Sequence, residues 1–138
     1  MDDAKRELVA VWLIKARNDL DTARQIAARP DGHLDAAIYH CQQAAEKAVK
    51  GFLAFRDHRL ERTHDVERLV FLATAHDAGF ATWTAAAALL TPYATAYRYP
   101  GEASALEPSR AEFEDALREA EALFRFTLAL LPTEVHPN

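Results

Sequence analysis

The chain has 138 residues and a formal net charge of −5, and half of its residues are hydrophobic. This length and composition favour one packed domain spanning residues 1–138, exclude a disordered chain, and give no sign of a strongly basic nucleic-acid-binding surface. The single cysteine, Cys41, excludes an internal disulfide, and the charged N-terminus lacks a signal-peptide core, so a cytoplasmic protein is expected.

The first two predicted helices are long and are separated by a clear break. Helix one covers residues 3–28, and Pro30 and Gly32 end it, because proline disfavours helix at the preceding residue and glycine supplies a turn. Helix two covers residues 33–56, and Asp31 is expected to cap its start. Their predicted inward faces, spaced by threes and fours, are Leu13, Ala16, Leu20, Ala23 and Ala27, then Leu34, Ile38, Cys41, Ala45, Ala48 and Phe52.

Two shorter helices follow. Helix three is expected to begin at Thr63, which has the chemistry of an N-cap, and to end at Gly79. Helix four covers residues 82–97, with Pro92 as the position of a kink. No charge occurs between residues 79 and 97, but the threonines, the proline and the many alanines favour a helix buried in a bundle over a membrane span.

The last predicted element is a helix that follows a long loop. The segment YRYPGEASALEPS, residues 97–109, is predicted to be loop because it holds two prolines and a glycine. Ser109 is expected to cap helix five, with Glu112 completing a capping box, and Pro132 stops the helix after Leu131. The fold class predicted from these elements is all-α, an antiparallel four- to five-helix up-and-down bundle.

Helix two carries the first candidate site, in the segment YHCQQAAEKAVKG. Tyr39, Gln43, Lys47 and Lys50 lie at helical spacings along one strip, beside His40. Ammonium groups bind phosphate, glutamine donates hydrogen bonds and tyrosine offers a ring for stacking, so the strip suits a nucleotide or an RNA backbone. The alternative is that these residues form only the solvated side of an amphipathic helix, with Lys50 in an ordinary i,i+4 pair with Glu46.

The segment TAYRYPG carries the second candidate site, at the junction of helix four and the loop. Tyr97 and Arg98 are expected to lie at a pocket mouth, where the ring stacks and the guanidinium binds phosphate. In the alternative interpretation, Arg98 only satisfies carbonyl groups at the end of the helix.

Familiar cofactor and metal motifs are missing from the sequence. It contains no glycine-rich phosphate loop, no HExxH and no cysteine pair. The Glu-x-x-His spacing of di-iron ligands occurs once, at Glu61 and His64 in the predicted connection before helix three, and not on two facing helices as a di-iron centre requires. No metal and no cofactor are therefore expected.

Four segments in order resemble HEPN-domain proteins of the small prokaryotic type: ARNDLDTA at 16–23, YHCQQAAEKAVKGFL at 39–53, THDVERL at 63–69 and YRYP at 97–100. The resemblance implies a helical bundle that often forms a homodimer and a role tied to nucleotides or RNA. It also implies a minimal nucleotidyltransferase as partner, in some cases within a toxin–antitoxin module.

The resemblance also raises the possibility of catalysis. Some members of the family are metal-independent ribonucleases with an R-x4-6-H motif, and Arg59 and His64, in RLERTH, are the match in this chain. In that interpretation Arg59 stabilises the phosphate and His64 transfers the proton of the ribose 2′-hydroxyl. The pair falls in a connection rather than a late helix, so a binding module, a ribonuclease and a non-catalytic helical scaffold all remain open.

Overall fold

A computed structural model describes residues 1–101 and 105–138. In this part of the chain all regular structure is helical: five α-helices and three short 3₁₀ segments, which confirms the predicted all-α bundle. The α-helices are α1 (Asp3–Ala27), α2 (Leu34–Phe55), α3 (Val66–Thr74), α4 (Thr84–Leu90) and α5 (Arg110–Ala129). The 3₁₀ segments are Ala78–Trp83, Thr91–Ala94 and Thr133–Val135.

Helix α2 is the central element of the bundle. It packs against α1 along most of its length and also contacts α3, α4 and α5. Fifteen of its 22 residues are buried, including every residue of its predicted apolar stripe. Gly51 allows the close approach of α1, because a Cβ atom there would lie 3.1 Å from Trp12 Cβ. A helix that contacts four others has little solvent-exposed surface, and this decides the environment of its polar residues.

Two predicted helix caps are wrong. The N-cap of α2 is His33, which makes no side-chain capping bond, while Asp31 lies 3.3 Å from Arg29 in a surface ion pair. The N-cap of α3 is Asp65, whose carboxylate accepts a hydrogen bond from Arg68 N. The Thr63 hydroxyl accepts from Asp65 N, so Thr63 contacts the residue before the helix and does not cap it. A carboxylate at the N-cap also interacts favourably with the helix dipole, which gives Asp65 the advantage over a threonine.

The predicted helix four is broken into three pieces. Helix α3 already ends at Thr74, and Gly79 lies inside the 3₁₀ segment that precedes α4 instead of ending α3. The second 3₁₀ segment has Pro92 near its start, where proline's missing N–H and fixed φ interrupt the α-helical pattern. Within the predicted loop 97–109, residues 102–104 lie outside the described residues, and the others form turns and bends without a helix.

Helix α5 begins as expected, with Ser109 Oγ accepting from Glu112 N at 3.0 Å. The reciprocal half of the predicted capping box is not made, because the Glu112 carboxylate accepts hydrogen bonds from two tyrosine hydroxyls, described below. No helix in the described part of the chain is long and apolar enough to cross a membrane.

Candidate functional site

The polar strip of α2 is not a solvated face. Gln43 is 9% exposed and Lys50 is 7% exposed, whereas Tyr39 and Lys47 are half-buried. The strip is covered because α2 is surrounded by other helices, so its polar atoms need partners inside the protein. The structure supplies those partners in two separate clusters.

The first cluster joins α1 to α2 around Asp19. One carboxylate oxygen accepts from Lys47 Nζ at 2.7 Å, and the other lies 2.8 Å from His40 Nδ1. Asp19 is only 7% exposed. The charge of Lys47 is therefore balanced by a buried carboxylate and is less available to an external anion than a solvated ammonium group would be.

The second cluster surrounds Glu46, which is 3% exposed. Lys50 donates to Oε2 at 2.9 Å, so the predicted i,i+4 pair exists but is buried. Gln42 and Gln43 donate to Oε1 at 3.2 Å and 3.4 Å. Every charge in this cluster has a partner, as a buried ion pair requires.

His64 extends the Glu46 cluster to the surface. Its Nδ1 lies 2.9 Å from Glu46 Oε1, while its side chain is 73% exposed. Because an ionised carboxylate only accepts hydrogen bonds, Nδ1 is the ring nitrogen that donates to Glu46, and Nε2 takes no part in this contact. A histidine held in this way by a buried carboxylate has the orientation of a general base.

Arg59 lies elsewhere. It lines a groove of about 510 Å³ between the first half of α1, the end of α2 and the connection before α3. Lys50 lines the same groove, but His64 does not. The structure thus brings Arg59 to the same groove as Lys50, and no hydrogen bond between Arg59 and His64 occurs among the described residues.

Arg98 and Tyr39 meet as the second candidate site requires. The guanidinium carbon lies 4.0 Å from the centre of the Tyr39 ring and 5.6 Å from that of Tyr99. Arg98 also donates to the carbonyl of Ala94 at 3.1 Å, so the alternative interpretation describes a contact that exists as well. The cluster is open to solvent, and Arg98 and Tyr99 are both exposed.

Tyr97 lies beside this cluster but turns its hydroxyl inward. Its hydroxyl donates to Glu112 at 2.9 Å, and the Tyr93 hydroxyl donates to the same carboxylate at 2.6 Å. Burial and then the neighbouring Glu112 carboxylate raise the pKa of both tyrosines. The backbone of Tyr97 has φ 68°, a left-handed conformation that is uncommon outside glycine. Tyr97 therefore anchors the turn that leads from the 3₁₀ segment ending at Ala94 to Arg98.

Sequence patterns did not find Asp19 as the partner of Lys47, and they placed the predicted Glu46–Lys50 pair on a solvated face although it is buried. Asp19 and Glu46 occupy helix positions that periodicity alone assigns to polar surface, and only the packing of α1 and α3 around α2 buries them. The usable signal was the resemblance itself, since both residues lie inside segments that resemble the family, ARNDLDTA and QQAAEK. Tyr99 lies in the fourth of those segments, YRYP, but is not among the predicted ligand-binding residues.

One cluster of metal-ligand type occurs among the described residues. His33, Asp35 and Glu107 place three possible ligand atoms within 4.8 Å of one another. His33 and Glu107 are exposed, and such groups often meet at protein surfaces without a metal. The sequence expectation of no metal rests on motifs and remains a prediction.

The fold and the site define an all-helical protein with an exposed arginine–tyrosine cluster and two buried polar clusters on its central helix. The HEPN domain family matches residues 9–130, and the chain belongs to this family.

Solved structures agree with the family assignment. The crystal structure of TT1696 from Thermus thermophilus is similar with a TM-score of 0.77 and 29% identity, covering 89% of this chain and 98% of that one. The crystal structure of ST0689, described as an archaeal HEPN homologue, is similar with a TM-score of 0.72 and 25% identity, covering 88% and 96%. No curated protein sequence is significantly similar to this chain.

Proposed function

We propose that this HEPN-domain protein, as one domain spanning residues 1–138, binds a nucleotide or RNA and acts with a minimal nucleotidyltransferase in a two-component, toxin–antitoxin-like module. The observation that carries the binding proposal is the exposed stack of Arg98 on Tyr39, 4.0 Å from guanidinium carbon to ring centre. Aromatic faces stack bases, and a guanidinium donates in a fixed fork to phosphate oxygens.

Arg98 is better suited than the lysines to contact the ligand. Lys47 and Lys50 are each ion-paired to a buried carboxylate, at 2.7 Å and 2.9 Å. Arg98 has no carboxylate within ion-pair distance in the part of the chain that the structure describes, and it lines a groove of about 680 Å³ with Tyr97 and Tyr99. In this proposal the ligand contacts Arg98, Tyr39 and Tyr99. The structural role of stabilising the helices around the site falls to Gln43, Lys47, Lys50 and Tyr97.

The test is a binding titration of ATP and of a short single-stranded RNA at low salt. Arg98→Ala should lower the affinity for the tighter-binding ligand about tenfold, because one hydrogen bond to a charged group is lost. Arg125→Ala, which removes an exposed arginine from α5, is the matched control and should leave the affinity unchanged. Absence of binding by the wild-type protein at low salt, where phosphate contacts are strongest, would reject the proposal.

The partner, the homodimer and the cytoplasmic location belong to the same proposal. Membership of the family supports the partner and the homodimer, and Cys41, a single buried thiol, suits a reducing compartment. The neighbouring reading frames should include a minimal nucleotidyltransferase, and its co-expression with this chain should give a complex that survives size-exclusion chromatography. Sedimentation of the protein alone should give the mass of two chains, and a monomer at all concentrations would reject the homodimer.

A metal-independent ribonuclease is the second candidate, and one observation favours it. His64 is exposed, and its Nδ1 is held by the buried Glu46 carboxylate at 2.9 Å, as a general base would be. His64→Ala should abolish RNA cleavage and growth arrest, and Arg59→Ala should weaken both. If the wild-type protein binds RNA without cutting it, the ribonuclease hypothesis is rejected and the binding module is retained. If it neither binds nor cuts RNA, the chain is a non-catalytic scaffold.

A further inference from the structure

The groove beside α1 is a second cavity, separate from the Arg98 cluster. It encloses about 510 Å³, and none of its lining residues lines the groove around Arg98. Ligand pockets for small molecules fall in the range of about 300–1,000 Å³. Its walls come from four parts of the chain, so the site exists only in the folded protein.

The walls of this groove are mostly apolar and include the indole ring of Trp12 and the imidazole ring of His58. Trp12 lines the groove, with the Lys50 ammonium 5.7 Å from its ring centre. Leu8 and Leu60 also line it and are 52% and 54% exposed, so their apolar surface is open to an incoming molecule. An indole face and two leucines bind a planar, apolar ring system better than a sugar or a polar chain.

Among the residues that the structure describes, the ion pairs around the groove leave one guanidinium, that of Arg59, without a carboxylate partner. Lys5 pairs with Asp57 at 3.0 Å, Lys50 pairs with Glu46, and Glu61 pairs with Arg68 at 2.9 Å. Arg59 has no carboxylate within ion-pair distance among residues 1–101 and 105–138.

The acids of the wall limit how much negative charge a ligand can carry. The Asp2 carboxylate accepts from the backbone N–H of Lys5 and caps α1. Asp2, Asp57 and Glu61 all line the groove, so a multiply charged phosphate ligand would meet three carboxylates and one unpaired guanidinium.

We propose that this groove is a binding site for a small aromatic molecule with a single negative charge, such as an aromatic carboxylate. The ring lies against Trp12 between Leu8 and Leu60, and the anionic group accepts hydrogen bonds from the Arg59 guanidinium. The site is distinct from the nucleotide or RNA site, and its occupation adds a contact between α1 and the connection before α3.

The probe is 1-anilinonaphthalene-8-sulfonate, a monoanionic aromatic molecule, followed in protein labelled with 5-fluorotryptophan. The chain has two tryptophans, so the two fluorine signals are assigned with Trp12→Phe and Trp83→Phe. The probe should shift the Trp12 signal and leave the Trp83 signal in place. A shift of both signals or of neither would overturn the proposal.

Charge recognition is tested by affinity. The neutral analogue N-phenyl-1-naphthylamine should bind about tenfold more weakly than the sulfonate, the effect of one charged hydrogen bond. Arg59→Ala should remove that difference and Arg125→Ala should preserve it. Leu60→Glu, a second exposed variant, should weaken the sulfonate more than the neutral analogue. An unchanged preference in Arg59→Ala would refute the role of the guanidinium.

Two further outcomes would reject the ligand class. If ATP shifts the Trp12 signal at lower concentration than the sulfonate does, the groove is a polyphosphate site. If probe binding falls as protein concentration rises and the chain self-associates, a second copy covers the groove. If ATP occupies this groove, its affinity falls in Arg59→Ala and not in Arg98→Ala, so failure here is distinguishable from failure of the proposed function.

Discussion

Glu46 and Lys50 form an ion pair in the interior of the bundle, one turn apart on α2, with 2.9 Å between Oε2 and Nζ. The Glu46 carboxylate also accepts hydrogen bonds from Gln42, Gln43 and the imidazole of His64. Removing one member of a buried pair leaves the other charge without compensation, which costs more than the pair contributes.

Glu46→Ala should therefore lower the free energy of unfolding by about 3–5 kcal/mol. The measurement is urea denaturation followed by circular dichroism. Glu114→Ala, at an exposed position of α5, is the control and should change stability by less than about 0.5 kcal/mol. Equal effects of the two substitutions would contradict the buried network.

The Tyr39 ring should act through its face rather than through its hydroxyl. Tyr39→Phe keeps the surface on which Arg98 stacks and should bind RNA nearly as well as the wild type. Tyr39→Leu removes it and should lose about 1–3 kcal/mol of binding free energy, the range for one base–aromatic stack. Fluorescence anisotropy of a labelled RNA measures both, and a larger loss in the phenylalanine variant would argue for hydroxyl recognition instead.

Asp65, which caps α3, should contribute more to the stability of the protein than Asp31, which was predicted to cap α2 but does not. Asp65→Ala removes the carboxylate that accepts from Arg68 N and should cost about 1 kcal/mol. Asp31→Ala removes only an exposed ion pair with Arg29 and should cost less than about 0.5 kcal/mol. Thermal or urea unfolding of the two variants ranks them, and the reverse order would show that Asp31 supports α2 after all.

Burial raises the pKa of the Cys41 thiol to about 12 from its ordinary value of 9.0. The folded protein should therefore resist iodoacetamide at pH 8, where the urea-unfolded chain is alkylated, because the thiolate is the reactive form. Labelling of the native protein at the rate of the unfolded one would contradict the burial.

The same pKa predicts how stability changes with pH. The unfolded thiol ionises first, so its contribution to stability is complete below pH 9 and is lost as pH rises from 9 towards 12. Comparison of the pH dependence of unfolding with that of Cys41→Ala isolates this contribution from the tyrosines, whose pKa values are also raised.

Sequence patterns were sufficient for the apolar side of α2. The stripe of α2, from Leu34 to Phe52, is buried as predicted, because a 3.6-residue period places those side chains on one face whatever the partner helix is. Ser109 likewise caps α5 through a local contact three residues away. Such features depend on neighbours in sequence and are visible without a fold.

The resemblance to HEPN proteins, carried by four short segments, is confirmed by the family match over residues 9–130. Tyr39 and Arg98 lie in two of those segments, and the structure brings their side chains into contact although they are far apart in sequence. The sequence therefore identified both members of this contact, although the stack itself depends on how the chain turns at Tyr97.

Only the tertiary structure decided the burial of the polar strip and the ion pairs in which its lysines take part. Lys47 and Lys50 look alike as exposed cations on a helical wheel, yet each is neutralised by a carboxylate, Asp19 from α1 and Glu46 from α2 itself. Burial depends on which helices pack around α2, and periodicity within one helix carries no information about that. The same packing turns His64 towards Glu46 and leaves Arg59 at a groove whose other cations are already paired.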